Sequence, residues 1–148
     1  MKAGRFQELV GQIIHACGLL EWATDLSIKQ LGKDPLLVRE IVQLTFTRRI
    51  KILRELLHER TELSDEDVNS LCAELEEIDN LRNKVAHNPI ASVNRPPKDV
   101  ESFILVARRK FDPPEEYTIS EAELEPLPKR AFVAMGKLLR SMPNRISF

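Results

Sequence analysis

Arg82, Asn83 and His87 are the residues of this chain whose types and spacing could do chemistry. An imidazole titrates near neutrality. It can take a proton from a ribose 2′-hydroxyl and return one to a leaving 5′-oxygen. A guanidinium is always charged and can hold a phosphate through two parallel hydrogen bonds, stabilising charge that builds in the transition state. Together the two suit RNA cleavage without a metal. Five residues of regular helix would leave Arg82 and His87 about 140° apart. Convergence therefore requires that His87 lie where a helix ends and that the long Arg82 side chain sweep toward it. Asn83 is four residues before His87, shares its helix face and can orient the imidazole.

The elements that must position these groups are helical. Phe6, Leu9, Val10, Ile13, Ile14, Cys17, Leu20, Thr24 and Ile28 recur at helical spacing and predict a first helix over 5–31, stopped by Gly32. Asp34-Pro35 starts a short helix, Thr45-Phe46-Thr47 breaks it, and a longer helix follows with Ile50, Leu53 and Leu57 inward. Ser64 caps the third long helix, whose first turn holds Asp65, Glu66 and Asp67. Pro89 forces Asn88 out of the helical region, so His87 falls in the last turn or just beyond it.

Past Asn88, Phe103–Ala107 and Tyr117–Ile119 predict two short strands of a β-hairpin. Ser120 and Glu123 fit a capping box, and a final helix starts near Pro128. The expected fold is mainly α: an antiparallel four-to-five-helix bundle with a small β-hairpin between the third long helix and the C-terminal helix, as one domain over 1–148.

The run Arg82-Asn83-Lys84-Val85-Ala86-His87 resembles the signature of the HEPN superfamily: an arginine, a polar residue, three residues, then histidine. The layout of a long helix, the run itself, a proline-containing loop, a short β element and a closing helix is also similar to its bacterial members. The resemblance implies a helical bundle that dimerises and brings two copies of the run into one positively charged cleft. It implies a metal-independent endoribonuclease of a toxin–antitoxin, phage-defence or RNA-processing system. Arg82 and His87 would be catalytic and Asn83 would assist. A homodimer, RNA and a cognate antitoxin or regulatory protein are the partners implied, with no cofactor and no metal. Two departures stand out. Asn88-Pro89 follows His87 where many relatives have glycine, and no tyrosine follows shortly after His87 as in one toxin subgroup. Some HEPN proteins are inactive nucleic-acid- or protein-binding modules, which is the alternative expectation.

Other residues divide between bland and functional readings. Arg82 could simply pair with Asp79 one turn earlier while His87 caps the helix. Arg48, Arg49, Lys51 and Arg54 form a basic stretch: a solvated face, or a patch that tracks phosphate. Arg48, Arg49 and Lys84 are the RNA contacts expected, with Arg48 nearer the apolar face than Arg49. Arg108-Arg109-Lys110 is a second basic candidate. Trp22 is expected as a core or dimer-interface anchor, His15 as a packed histidine, and His58 as a solvated one.

Composition bounds these readings. Net charge is −1, so any nucleic-acid site must be a local patch. Cys17 and Cys72 sit in apolar stretches and form no disulfide framework, which fits a reducing compartment. With no leader pattern and no stretch of membrane-spanning length, the expected location is cytoplasmic.

Overall fold

The computed structural model describes residues 3–87, 90–94, 102–107 and 115–143. It is mainly helical. The order of elements is α1 (Ala3–Leu31), α2 (Pro35–Ile41), α3 (Phe46–Arg60), α4 (Asp65–His87), β1 (Ile90–Asn94), β2 (Ser102–Ala107), β3 (Glu115–Ser120), α5 (Glu121–Leu124) and α6 (Leu127–Arg140). No helix among the described residues is long and apolar enough to cross a membrane.

Three of the helices begin with a side-chain cap: α2, α4 and α5. The Asp34 carboxylate accepts from the backbone N–H of Leu36 at 2.9 Å and of Leu37 at 3.4 Å, and Pro35 occupies the first turn, where its missing N–H costs nothing. The Ser64 hydroxyl accepts from the N–H of Asp67 at 3.1 Å, and three acidic residues fill the first turn of α4 at the positive end of its dipole. Ser120 and Glu123 cap α5 reciprocally. The backbone N–H of Ser120, and after it the Ser120 hydroxyl, donates to the Glu123 carboxyl and holds it below its ordinary range.

The core lies among α1, α3, α4 and α6. The α1 stripe of Phe6, Leu9, Ile13, Cys17, Leu20 and Ile28 is buried, as are Ile50, Leu53 and Leu57 of α3. Cys72, Leu75 and Ile78 of α4 and Ala131, Ala134 and Leu138 of α6 meet them. α1 and α4 each touch both α3 and α6 as well as each other, so these two helices form the diagonal of the bundle. Thr47 reaches Asp79 and Arg54 reaches Glu76, so α3 and α4 run in opposite senses.

Several expectations are corrected. Ile14 turns outward because its neighbour Ile13 already faces the core and successive residues diverge by about 100°. Trp22 is 47% exposed beside buried Ala23 for the same reason, so it is no core anchor. His15 is exposed rather than packed. His58 is half-buried, and its Nδ1 lies 2.8 Å from an Asp65 carboxylate oxygen. The β element has three strands instead of two: β1 pairs with β2, and β2 with β3, all antiparallel.

Gly32 illustrates how tightly α1 meets α2. A Cβ added there would lie 2.2 Å from Val38 Cγ2 and 2.9 Å from the Ile28 carbonyl oxygen. Replacement by alanine, Gly32→Ala, is expected to lower stability by about 1–3 kcal/mol through overpacking. Gly11, whose added Cβ would meet nothing, should gain up to about 1 kcal/mol on Gly11→Ala from helix propensity. Urea denaturation of both variants checks this; equal midpoints would contradict it.

Candidate functional site at the end of the fourth helix

α4 carries the candidate run to its last residue: the helix ends at His87. Pro89 supplies the reason, since the residue before a proline avoids helical backbone. The side chain of His87 lies outside the described residues, as do Asn88, Pro89 and the Arg108-Arg109-Lys110 stretch. Asn83 is half-buried and Lys84 is exposed.

Arg82 faces inward. Its Nη2 donates to a Glu21 oxygen of α1 and, at 3.1 Å, to Asp79 Oδ1 one turn earlier on α4. The Arg82–Asp79 pair expected as the bland reading is therefore formed. Glu21 does not serve Arg82 alone. Its second oxygen accepts from Arg49 Nη2 at 2.9 Å, and Arg49 Nη1 donates to Asp25. Asp79 likewise uses both oxygens, the second accepting from the Thr47 hydroxyl at 3.0 Å. The Arg49 guanidinium carbon sits 5.3 Å from the centre of the Phe46 ring, within cation–π range. Three carboxylates and two guanidiniums from α1, α3 and α4 thus form one linked cluster.

Burial grades across this cluster. Asp79 is 4% exposed, Arg49 7%, and the side chain of Arg82 19%. Removing such charges from water is costly, and the cost is offset only where each group finds several partners. Glu21 and Asp79 each have two. The Nε atoms of Arg49 and Arg82 are buried and have no hydrogen-bond partner among the described residues. Cys17, one turn before Glu21, borders the cluster. Burial pushes its thiol up to about 11, against a smaller opposing effect of the Arg82 charge, so it stays protonated and unreactive at neutral pH.

The basic residues separate differently from expectation. Arg48, placed nearer the apolar face from the sequence, is exposed, whereas Arg49 is buried. Arg49 falls on the stripe of Phe46, Ile50, Leu53 and Leu57, and a guanidinium held there by Glu21 and Asp25 is not presented to a phosphate outside. The surface cations of the expected RNA contacts are Arg48 and Lys84. Within the cluster itself the formal charge is three negative against two positive, a net −1. Arg82 is consequently held in one orientation, and a phosphate approaching it must compete with Glu21 for the same donors.

Sequence reasoning missed Glu21, Asp25 and Thr47 as members of this cluster. The available signal was the pair Glu21 and Asp25, four residues apart and flanking the apolar stripe of α1, opposite a buried-register arginine in α3.

Comparison with protein-family models, with curated proteins and with solved structures finds no match to this chain.

Removing Arg82 would strand the buried Asp79 carboxylate with Thr47 as its remaining hydrogen-bond partner. Arg82→Ala is therefore expected to destabilise the fold by about 3 kcal/mol, in the range for breaking a buried pair by deleting one member. Exposed Arg48, replaced in the same way, should change stability by less than about 0.5 kcal/mol. Chemical denaturation of the two variants measures the difference; similar losses would contradict the placement.

Proposed function

We propose that this chain is a HEPN-type endoribonuclease that acts as a homodimer, needs no metal, and serves a toxin–antitoxin or phage-defence system in the cytoplasm. The reading rests on the run Arg82-Asn83-Lys84-Val85-Ala86-His87 closing a helix of 23 residues, with the histidine as its last residue. In this reading His87 takes the proton of a ribose 2′-hydroxyl as its oxygen attacks the adjacent phosphorus. The bond from phosphorus to the 5′-oxygen breaks, and that oxygen receives a proton from the protonated imidazole of His87 in the same or the second subunit. The products are a 2′,3′-cyclic phosphate and a 5′-hydroxyl. Arg82 stabilises charge on the phosphoryl oxygens, held ready by Glu21 and Asp79 rather than free to wander. Asn83 orients the imidazole, and exposed Arg48 and Lys84 contact neighbouring phosphates.

A second reading has its own observation. Arg82 is already bonded to two carboxylates, which suits a structural clasp in a non-catalytic module that binds RNA or a protein partner through the same surface.

The experiment is RNA cleavage in excess chelator by wild-type protein and by His87→Ala. The nuclease reading predicts cyclic-phosphate products from the wild type and a loss of about 100-fold or more in the variant, the scale of one general acid–base group. Equal activity in both ends the assignment. Salt-sensitive RNA retention with no turnover by the wild type selects the second reading.

A further inference from the structure

A groove of about 600 Å³ runs between the N-terminal half of α4 and the length of α6, well away from Arg82. Its apolar lining includes Leu63 and Leu71 on one side and Val133 and Ala134 on the other. Val133 is 47% exposed, and Phe132 beside it is exposed as well, on a surface that continues across α6 into a second depression lined by both.

The charges around this apolar strip are unevenly satisfied. The groove is lined by four cations, Lys129, Arg130, Lys137 and Arg140, and by two carboxylates, Asp67 and Glu74. Arg130 is fully engaged on the α4 wall: its Nε and Nη2 donate to the two oxygens of Glu74 at 2.8 Å each, and its Nη2 lies 3.0 Å from Glu77. That hydrogen-bonded pairing holds the Glu74 carboxyl below its ordinary range, with a smaller contribution from the Lys137 charge. Asp67 is occupied in capping, with the Ser64 hydroxyl donating to it at 2.8 Å. Lys129, Lys137 and Arg140 have no ion-pair partner among the described residues. At 129, 133, 137 and 140 these cations and Val133 fall on one side of α6, spanning about 16 Å, or three helical turns.

We infer that this groove docks an acidic amphipathic helix of a protein partner, its apolar face on Val133, Leu71 and Leu63 and its carboxylates on Lys129, Lys137 and Arg140. The charge pattern argues for this occupant. Cations spread over three turns, without an ion pair among the described residues, beside an apolar lining of Val133, Leu71 and Leu63 match a helix with apolar residues three and four apart and glutamates or aspartates beside them. Among the described residues the most acidic helix, α4, presents no large apolar residue to solvent and so is not itself such an occupant. The groove's own lining holds no aromatic ring for bases to stack on, Phe132 lying in the neighbouring depression. The inference is independent of the nuclease reading, since the groove shares no residue with the Arg82 cluster.

The test uses fluorescence anisotropy with a labelled helical peptide of leucine, alanine and glutamate, its leucines on one face. A second peptide carries lysine in place of glutamate. The wild-type protein is expected to bind the glutamate peptide at least tenfold more tightly than the lysine peptide, and more weakly as salt is raised. The double variant Lys129→Glu/Lys137→Glu, with an unchanged melting temperature, should lose at least tenfold in affinity for the glutamate peptide. Val133→Ala, which leaves the charges in place, should also weaken binding. Equal binding of the two peptides overturns the proposal, as does glutamate-peptide affinity that survives the double charge reversal. Short single-stranded RNA that binds the wild type and is lost in the same double variant would assign the groove to nucleic acid instead. RNA cleavage by the double variant separates this result from the fate of the nuclease reading.

Discussion

A single carboxylate, that of Glu21, joins the two arginines on which the relative placement of three helices depends. One of its oxygens holds Arg82 of α4 and the other holds Arg49 of α3, while Glu21 itself rides on α1. Asp25 and Asp79 complete the joint from α1 and α4. An apolar contact tolerates sliding, because burial is proportional to area and has no direction. Paired ions in a half-dry site do not, since each needs its partners at hydrogen-bond distance to offset lost hydration. The cluster therefore acts on register and rotation: shifting α4 by one residue would carry Arg82 away from Glu21 and leave Asp79 without Thr47.

The same constraint shapes what the end of α4 can do. Arg82 sits five residues before the helix terminus and is turned toward the bundle interior, with its approach governed by Glu21 and Asp79. A guanidinium fixed in this way is pre-organised, which is an advantage for stabilising charge in a transition state. It is also partly neutralised, which weakens its pull on a phosphate. The balance is set by whether the incoming oxyanion reaches donors that the carboxylates leave unused; the Nε of Arg82, without a hydrogen-bond partner among the described residues, is buried and not one of them.

Much of the bundle was legible in the sequence because it is written in local rules. Ser64, Asp34 and the Ser120–Glu123 box each satisfy orphan backbone donors within three residues, so their effect needs no knowledge of the rest of the chain. The break at Thr45, whose side chain makes no cap hydrogen bond, and the end of α4 at His87 are also placed by neighbouring residues rather than by distant partners. What was hidden depends on distant partners. Arg49 lies on the inward stripe of α3, but burying an arginine is sensible only once Glu21 and Asp25 arrive from another helix. The pull of residue type, which puts arginine outside, outweighed its position. β1 was missed because Ile90-Ala91-Ser92-Val93-Asn94 has little apolar alternation of its own and becomes a strand by pairing with β2. As for the candidate site, the run from Arg82 to His87 was visible as residues, whereas the carboxylates that grip Arg82 were visible only as charges beside the α1 stripe.

The most direct measurement is a double-mutant cycle between Glu21 and Arg82, using Glu21→Gln, Arg82→Gln and the double variant, with stability read from urea denaturation. If the two side chains are bonded and partly desolvated as described, the cycle should return a coupling energy of about 1 kcal/mol or more, within the range for residues in one ionic network. Additive losses, with coupling indistinguishable from zero, would contradict the joint and with it the inward orientation of Arg82.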